Sequence, residues 1–216
     1  MKKFSAIIFD LGGVLLNLHL QKSIDAFKIY LPEENKSSIE IPNDFKSGVW
    51  GLPFFHEFEK GKISPSEFRN KMHETFSLDC SDEEIDSAWN TMLGQLPQGR
   101  VDFLFELKKN YRLFLLTNTN EIHWAEVEKI ISVQYGRNVL EDVFEKIYRS
   151  SRVQIRKPER EIFELVLHEN KLNADETIFI DDSAQHIEGA KNAGIKNSFL
   201  HSTNGEIEAF VSKIID

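Results

Sequence analysis

The sequence predicts an α/β fold, a parallel sheet flanked by helices, with a helical insertion after the first strand. Three observations carry that reading. Apolar runs at Ala6 to Phe9, Leu113 to Leu116 and Thr177 to Ile180 are continuous rather than alternating, as in strands buried on both faces. Helical patterns separate the later runs, so strand and helix alternate and right-handed crossovers are expected. From about Leu18 to Leu96 the alternation stops and one helix signal follows another.

In chain order, the first run ends in Asp10-Leu11-Gly12-Gly13-Val14, where two glycines let the backbone turn tightly and approach a ligand. Within the insertion, Ser64-Pro65-Ser66-Glu67 has the form of a capping box with proline at the first helical position, followed by Phe68, Met72 and Phe76 at four-residue spacing. Ser81-Asp82-Glu83-Glu84 is a second capping box, followed by the one-sided stripe Ile85, Ala88, Trp89 and Met92. Both stripes are assigned to packing and none of their residues to substrate. Leu96-Pro97-Gln98-Gly99 is read as the exit hinge. Beyond it come the second run, a helix over Glu121 to Ile131, and a helix over Pro158 to Asn170 with Ile162, Phe163, Val166 and Leu167 on one face. After the third run, a helix over Ala184 to Ala193 stops at Gly194, and a weaker apolar run spans Asn197 to Leu200. No internal repeat or low-complexity tract interrupts the pattern.

The 216 residues suffice for one α/β core plus a modest inserted domain, and 41% hydrophobic residues can bury a sizeable core. A formal net charge of −9 argues against a nucleic-acid surface, which needs a dense basic stripe. It leaves room for an anionic substrate beside a bound cation. The single cysteine, Cys80, allows no intrachain disulfide and fits a reducing compartment. The apolar run after Met1-Lys2-Lys3 stops at Asp10, too short for a signal segment or a membrane span. A cytoplasmic protein with no membrane or nucleic-acid partner is expected. Its oligomeric state is left open.

Four segments carry possible chemistry. Asp10 closes a buried strand, where open α/β sheets bind ligands, although an aspartate there also serves as a helix cap. Thr117-Asn118-Thr119-Asn120 follows the second run and offers donors to an anion, or an N-cap to the next helix. Arg156-Lys157-Pro158 puts a cation before a helix; most lysines are solvated, yet a lysine suits a phosphate or an aspartyl-phosphate. Asp181-Asp182 closes the third run. Adjacent carboxylates repel unless something positive sits beside them, so they form either a magnesium site or an exposed acidic turn. Together, three strand ends with polar residues and a lysine between the last two suit phosphoryl transfer.

In these four segments and their order the chain resembles the haloacid dehalogenase superfamily: Phe9 to Leu15, Leu115 to Asn118, Lys157-Pro158, and Phe179 to Ser183 with the trailing Glu188-Gly189-Ala190 and Ala193-Gly194-Ile195. Among its members it looks most like bacterial phosphatases of α-glucose 1-phosphate. The resemblance implies a Rossmann-like core over 1–17 and 97–216 with a helical cap over 18–96. It implies an aspartyl-phosphate on Asp10, and magnesium held by Asp10, the Gly12 carbonyl and Asp182, with Asp181 a second acidic group, direct or through water. It also implies that Thr117 and Asn118 bind the phosphoryl group of a small phosphorylated substrate, and that Lys157 neutralises the charge there.

One position departs from the family pattern. Where most family phosphatases carry a second aspartate as general acid and base, this chain has Gly12, which keeps a carbonyl for the metal but moves no proton. General acid–base help is worth about 10²–10⁴-fold. His19 and His123 are the candidates to replace it, by residue type and nearness to the motifs. The main reading is therefore a magnesium-dependent phosphatase acting on a small phosphorylated metabolite such as a sugar phosphate. Two others stay open: a binding or regulatory protein that has lost turnover, and a metal-free 2-haloacid dehalogenase, against which the paired acids argue. Substrate contacts from the cap are expected over Phe45 to Phe58, where Gly48, Gly51 and Pro53 interrupt the helical pattern.

Overall fold

The computed structural model describes residues 3–33 and 51–215. Five parallel strands form one sheet: β1 (Ala6–Phe9), β2 (Arg112–Thr117), β3 (Lys146–Arg149), β4 (Thr177–Asp181) and β5 (Asn197–Leu200), in the order β3-β2-β1-β4-β5. The register is direct: Ala6 lies opposite Arg112 on one side and Thr177 on the other. Side chains alternate across the sheet. Ile7, Phe9, Leu113, Leu115, Ile178 and Ile180 enter one buried cluster; Ala6, Ile8, Phe114, Leu116 and Phe179 enter another. This two-sided burial is why the central strands read as unbroken apolar runs.

The helices in chain order are α1 (Leu20–Lys28), α2 (Pro53–Glu59), α3 (Pro65–Phe76), α4 (Asp82–Asn90), α5 (Gln98–Lys108), α6 (Glu121–Tyr135), α7 (Val139–Val143), α8 (Ser150–Val153), α9 (Arg160–Glu169), α10 (Ala184–Asn192) and α11 (Ile207–Ile215). One sheet face is covered by α5, α6, α7 and α11, the other by α9 and α10. Helices α1 to α4 gather around their own apolar cluster, in which the Phe58 and Phe68 rings stack at 4.2 Å. Both capping boxes form: Ser64 and Ser81 each accept from the backbone N–H three residues on, and Glu67 and Glu84 reach back. Among the described residues, no helix is long and apolar enough to cross a membrane.

The expected exit hinge at Leu96-Pro97-Gln98-Gly99 leads directly into α5. Leu96 is fully buried and its carbonyl accepts from the Tyr135 hydroxyl. Pro97 is the N-cap of α5, so proline here starts a helix rather than breaking the chain. Just before that segment, residues 17–19 pair with residues 92–95: Asn17 N–H donates to Gln95 O (3.0 Å), Gly94 N–H to Asn17 O (2.8 Å) and His19 N–H to Met92 O (2.8 Å).

The capping boxes set a test of the cap helices. Ser64→Ala and Ser81→Ala are each expected to lower unfolding free energy by about 0.5–2 kcal/mol. Ser66→Ala, exposed within α3, should leave it nearly unchanged. Urea midpoints for the three variants check this; equal losses would show that capping is not the cause.

Candidate active site

The chain builds β1, β2 and β3 outward on one side, then returns to place β4 and β5 on the other. Ligands in open α/β sheets bind at such a switch point, here between the carboxyl ends of β1 and β4. Asp10 follows β1, its N–H bonded to Ile180 O (2.9 Å), and Asp181 and Asp182 stand at the end of β4. Lys157 comes from the loop between α8 and α9 and is fully buried. Its ammonium lies 2.7 Å from Asp10 Oδ1 and 2.6 Å from Asp181 Oδ2.

The two adjacent acids have different tasks. Asp181 is fully buried and engaged on both oxygens: Oδ2 takes Lys157, and Oδ1 accepts from Ser183 N–H (2.8 Å) and meets His186 Nδ1 (2.9 Å). Asp182 faces the cavity and, among the described residues, only its Oδ2 is engaged, by the Thr203 hydroxyl (2.7 Å). Gly13 makes room for it; at φ +78° a Cβ there would stand 2.2 Å from Asp182 Oδ2.

Charge at the centre is unbalanced. Asp10, Asp181 and Asp182 each offer an oxygen, all within 4.8 Å of one another, against one ammonium. Burial, reinforced by the two neighbouring carboxylates, outweighs Lys157 and pushes the Asp10 carboxyl up to about 8. Burial also raises Asp182. For Asp181 burial is overcome by Lys157 and His186, which hold it below the usual carboxylate range. Burial disfavours the Lys157 ammonium, but Asp10 and Asp181 outweigh it and keep it charged. A hard divalent cation fits this donor set and would remove the excess negative charge.

The Thr117-Asn118-Thr119-Asn120 run divides its work. Thr117 is buried and lines the cavity, its hydroxyl making only a long 3.5 Å contact to Asn118 O. Asn118, expected to bind substrate, also borders the cavity, but both ends of its amide bond the Lys157 backbone: Nδ2 donates to Lys157 O and Oδ1 accepts from Lys157 N–H, each at 2.9 Å. Thr119 N–H donates to Ser150 Oγ, and Asn120 N-caps α6 by accepting from His123 N–H. The anion-site and cap readings of this run thus fall on different residues.

A cavity of about 160 Å³ opens above these residues. Asp10, Gly12, Thr117, Lys157 and Asp182 line its floor; Phe55, His56, Phe58 and Glu59 of α2, with Trp89 and Met92, line its roof. Trp89 and Met92 were assigned to packing alone; they serve both, because the inner stripe of α4 ends over the cavity. Of the expected segment Phe45 to Phe58, residues 45–50, with Gly48, lie outside the described residues, while Phe55, His56 and Phe58 reach the cavity. The roof is tied to the loop that carries Lys157. Glu59 Oε2 lies 2.8 Å from Arg156 Nε as an ion pair whose N–H is not aimed at the oxygen. Lys60 pairs with Glu159, and Gly61, at φ +62°, sits against the Ser151 carbonyl, where a Cβ would approach to 2.3 Å.

The expected proton donors fare differently. His19 is exposed and outside the cavity wall. His123 lines the cavity, stacked on Trp89 (4.7 Å, 12°), and burial pushes its pKa down to about 4, so its imidazole is neutral at neutral pH. Sequence reasoning missed His186 and His56. His186 was findable, since it stands in the first turn after the paired acids; nothing marked His56.

Comparison with known proteins follows this geometry. The haloacid dehalogenase-like hydrolase family model matches residues 7–199. The chain is 28% identical over 193 residues to a D-ribitol-5-phosphate phosphatase of Bacteroides thetaiotaomicron, covering 88% of each chain. It is 28% identical over 204 residues to the sesquiterpene phosphatase astK of Aspergillus oryzae, covering 93% of this chain and 91% of that one. Among solved structures, a haloacid dehalogenase family enzyme of B. thetaiotaomicron in complex with magnesium and inorganic phosphate superposes with TM-score 0.83 at 33% identity, covering 96% of this chain and 98% of that one. The chain belongs to the haloacid dehalogenase-like hydrolase family.

Asn118→Ala removes both bonds to the Lys157 backbone and is expected to lower stability by about 1–3 kcal/mol. Denaturant unfolding measures it; an unchanged midpoint would show that the loop holds Lys157 without that amide.

Proposed function

We propose that the chain is a magnesium-dependent phosphatase of a small phosphorylated metabolite bearing hydroxyl groups, a sugar or sugar-alcohol phosphate, and that it works through an aspartyl-phosphate on Asp10. One observation carries this reading: Asp10 closes the central strand against the buried Lys157 ammonium and faces a roofed cavity shared with Asp182. Relatives named as phosphatases, and a similar structure holding magnesium and inorganic phosphate, support it.

On this reading Asp10, the Gly12 carbonyl and Asp182 hold magnesium. The bound ion supplies charge neutralisation at the phosphoryl oxygens. The Asp10 carboxylate attacks phosphorus while the P–O bond to the leaving alcohol breaks, and water then cleaves the acyl phosphate to restore Asp10. Thr117 donates to a phosphoryl oxygen. Lys157 screens Asp10 and the incoming phosphate, and Asp181 anchors that lysine. Residues 18–96 act as a cap on the core of 1–17 and 97–216, excluding water from the reacting centre.

The roof supports the substrate class. His56, Glu59 and Arg156 interrupt an aromatic wall, and an apolar chain would press hydrocarbon against the Glu59–Arg156 pair, which is costly. Hydroxyl groups can bond that pair instead. α-Glucose 1-phosphate is one substrate of this class.

A second reading keeps one specific support: Gly12 carries no acid, and a Cβ there would lie 3.0 Å from Leu18 Cδ1, so the linker fills that space. A protein that binds without turnover would look like this. A dehalogenase is disfavoured, since three clustered carboxylates would repel a haloacid.

Phosphate release from a panel of sugar, sugar-alcohol and isoprenoid phosphates, with and without magnesium, for the parent and Asp10→Asn, tests the proposal. Release is expected to need both Asp10 and magnesium; release unaffected by Asp10→Asn would sink the mechanism, and binding without release would favour the second reading. The raised Asp10 adds a proton-linked test. Below about pH 8 the metal-free carboxyl holds its proton, so magnesium must displace it. Affinity should rise by about tenfold per pH unit up to that value and flatten above it. Calorimetry in buffers of different ionisation enthalpy should show close to one proton released at neutral pH. No proton release would mean that Asp10 is already ionised.

A further inference from the structure

Thr203 and Asn204 lie in the loop after β5, outside every motif used above. Their contacts run in two directions. Toward the floor, the Thr203 hydroxyl donates to Asp182 Oδ2 (2.7 Å), leaving the other carboxylate oxygen free of it, and Asn204 N–H donates to Gly13 O (2.6 Å). Toward the cap, the Asn204 amide clasps Leu18 at both ends: Leu18 N–H donates to Oδ1 and Nδ2 donates to Leu18 O, each at 2.8 Å. Leu18 belongs to the linker. It bridges Leu93 on the returning strand, and both residues line the cavity. Asn204 takes φ +58°, a left-handed conformation that asparagine tolerates better than most residues.

We propose that Thr203 and Asn204 form a strut that couples cation binding at Asp182 to the setting of the cap linker. The inference rests on the magnesium reading above. Every link is a directional hydrogen bond, and the two residues are adjacent. A carboxylate that turns to take a cation therefore carries Thr203 with it, and the neighbouring peptide carries the Asn204 clasp on Leu18. The same loop holds the Gly13 carbonyl, one residue beyond Gly12, so the turn after Asp10, the Asp182 carboxylate and Leu18 share one support. Thr203 and Asn204 are positioning residues; neither is assigned contact with substrate. A purely structural loop would hold Leu18 equally with or without the cation.

Hydrogen–deuterium exchange of residues 17–19 and 92–95 in the full chain, with and without magnesium, separates the two. In the parent, magnesium is expected to slow exchange of this linker by at least about fivefold, the low end of usual coupling between sites. Asn204→Gly keeps the left-handed backbone and removes the clasp. It should bind magnesium by calorimetry yet lose the slowing at the linker. Thr203→Val breaks the other end and should lose it as well, with exchange in the metal-free protein close to the parent. The same magnesium effect in both variants would overturn the strut, as would magnesium binding to the parent without any change at the linker. Failure of the parent to bind magnesium would instead remove the metal reading, and the coupling with it.

Discussion

A buried ammonium between two carboxylates organises this molecule. Lys157 is wholly removed from solvent, and an unpaired charge in that position would be expensive enough to unfold its surroundings. Asp10 and Asp181 make it tolerable, and each is placed by a central strand of the sheet. The loop that delivers the lysine is fixed from outside the ion pair, by the Asn118 amide on its backbone and by the ties from α2 to Arg156 and Glu159. Sheet, loop and cap meet at one nitrogen atom.

Lys157 still leaves the three carboxylates of the centre short of positive charge. Asp181 spends itself on Lys157, Ser183 and His186. Asp10 and Asp182 then face the cavity, and burial raises both carboxyls above the usual carboxylate range. A cation entering between them would compete with the proton on Asp10 for the same oxygens.

The core was legible where burial is two-sided. β1, β2 and β4 read as apolar runs, the edge strand β5 as a weaker one, and the cap helices are marked by Ser64 and Ser81. β3 was not seen: Lys146-Ile147-Tyr148-Arg149 is an edge strand whose end residues are charged. α5 was hidden twice, by Pro97 read as a break and by Arg100 on its inner side, where the guanidinium bonds Leu15 O, Asn17 Oδ1 and Gly205 O. The site followed the same division. Asp10, Thr117 and Asp182 stand at or beside strand ends, and Lys157 precedes a proline that opens a helical pattern, which sequence can locate. His56, Glu59, Thr203 and Asn204 reach the site through tertiary packing, and no local pattern distinguishes them from other surface polar residues.

Gly12 and Leu18 bring the architecture back to chemistry. A side chain at position 12 would begin at the place now filled by Leu18, and Leu18 is held there by the Asn204 clasp and by pairing with Leu93. A side chain at position 12 would therefore press on the end of the Leu18 side chain, while the Leu18 backbone stays clasped by Asn204. His123, one of the two candidate substitutes in the sequence, is held in its neutral form by burial. On the phosphatase reading, a floor without an acid at position 12 would lean on how Lys157 and Thr117 are positioned around the phosphoryl group.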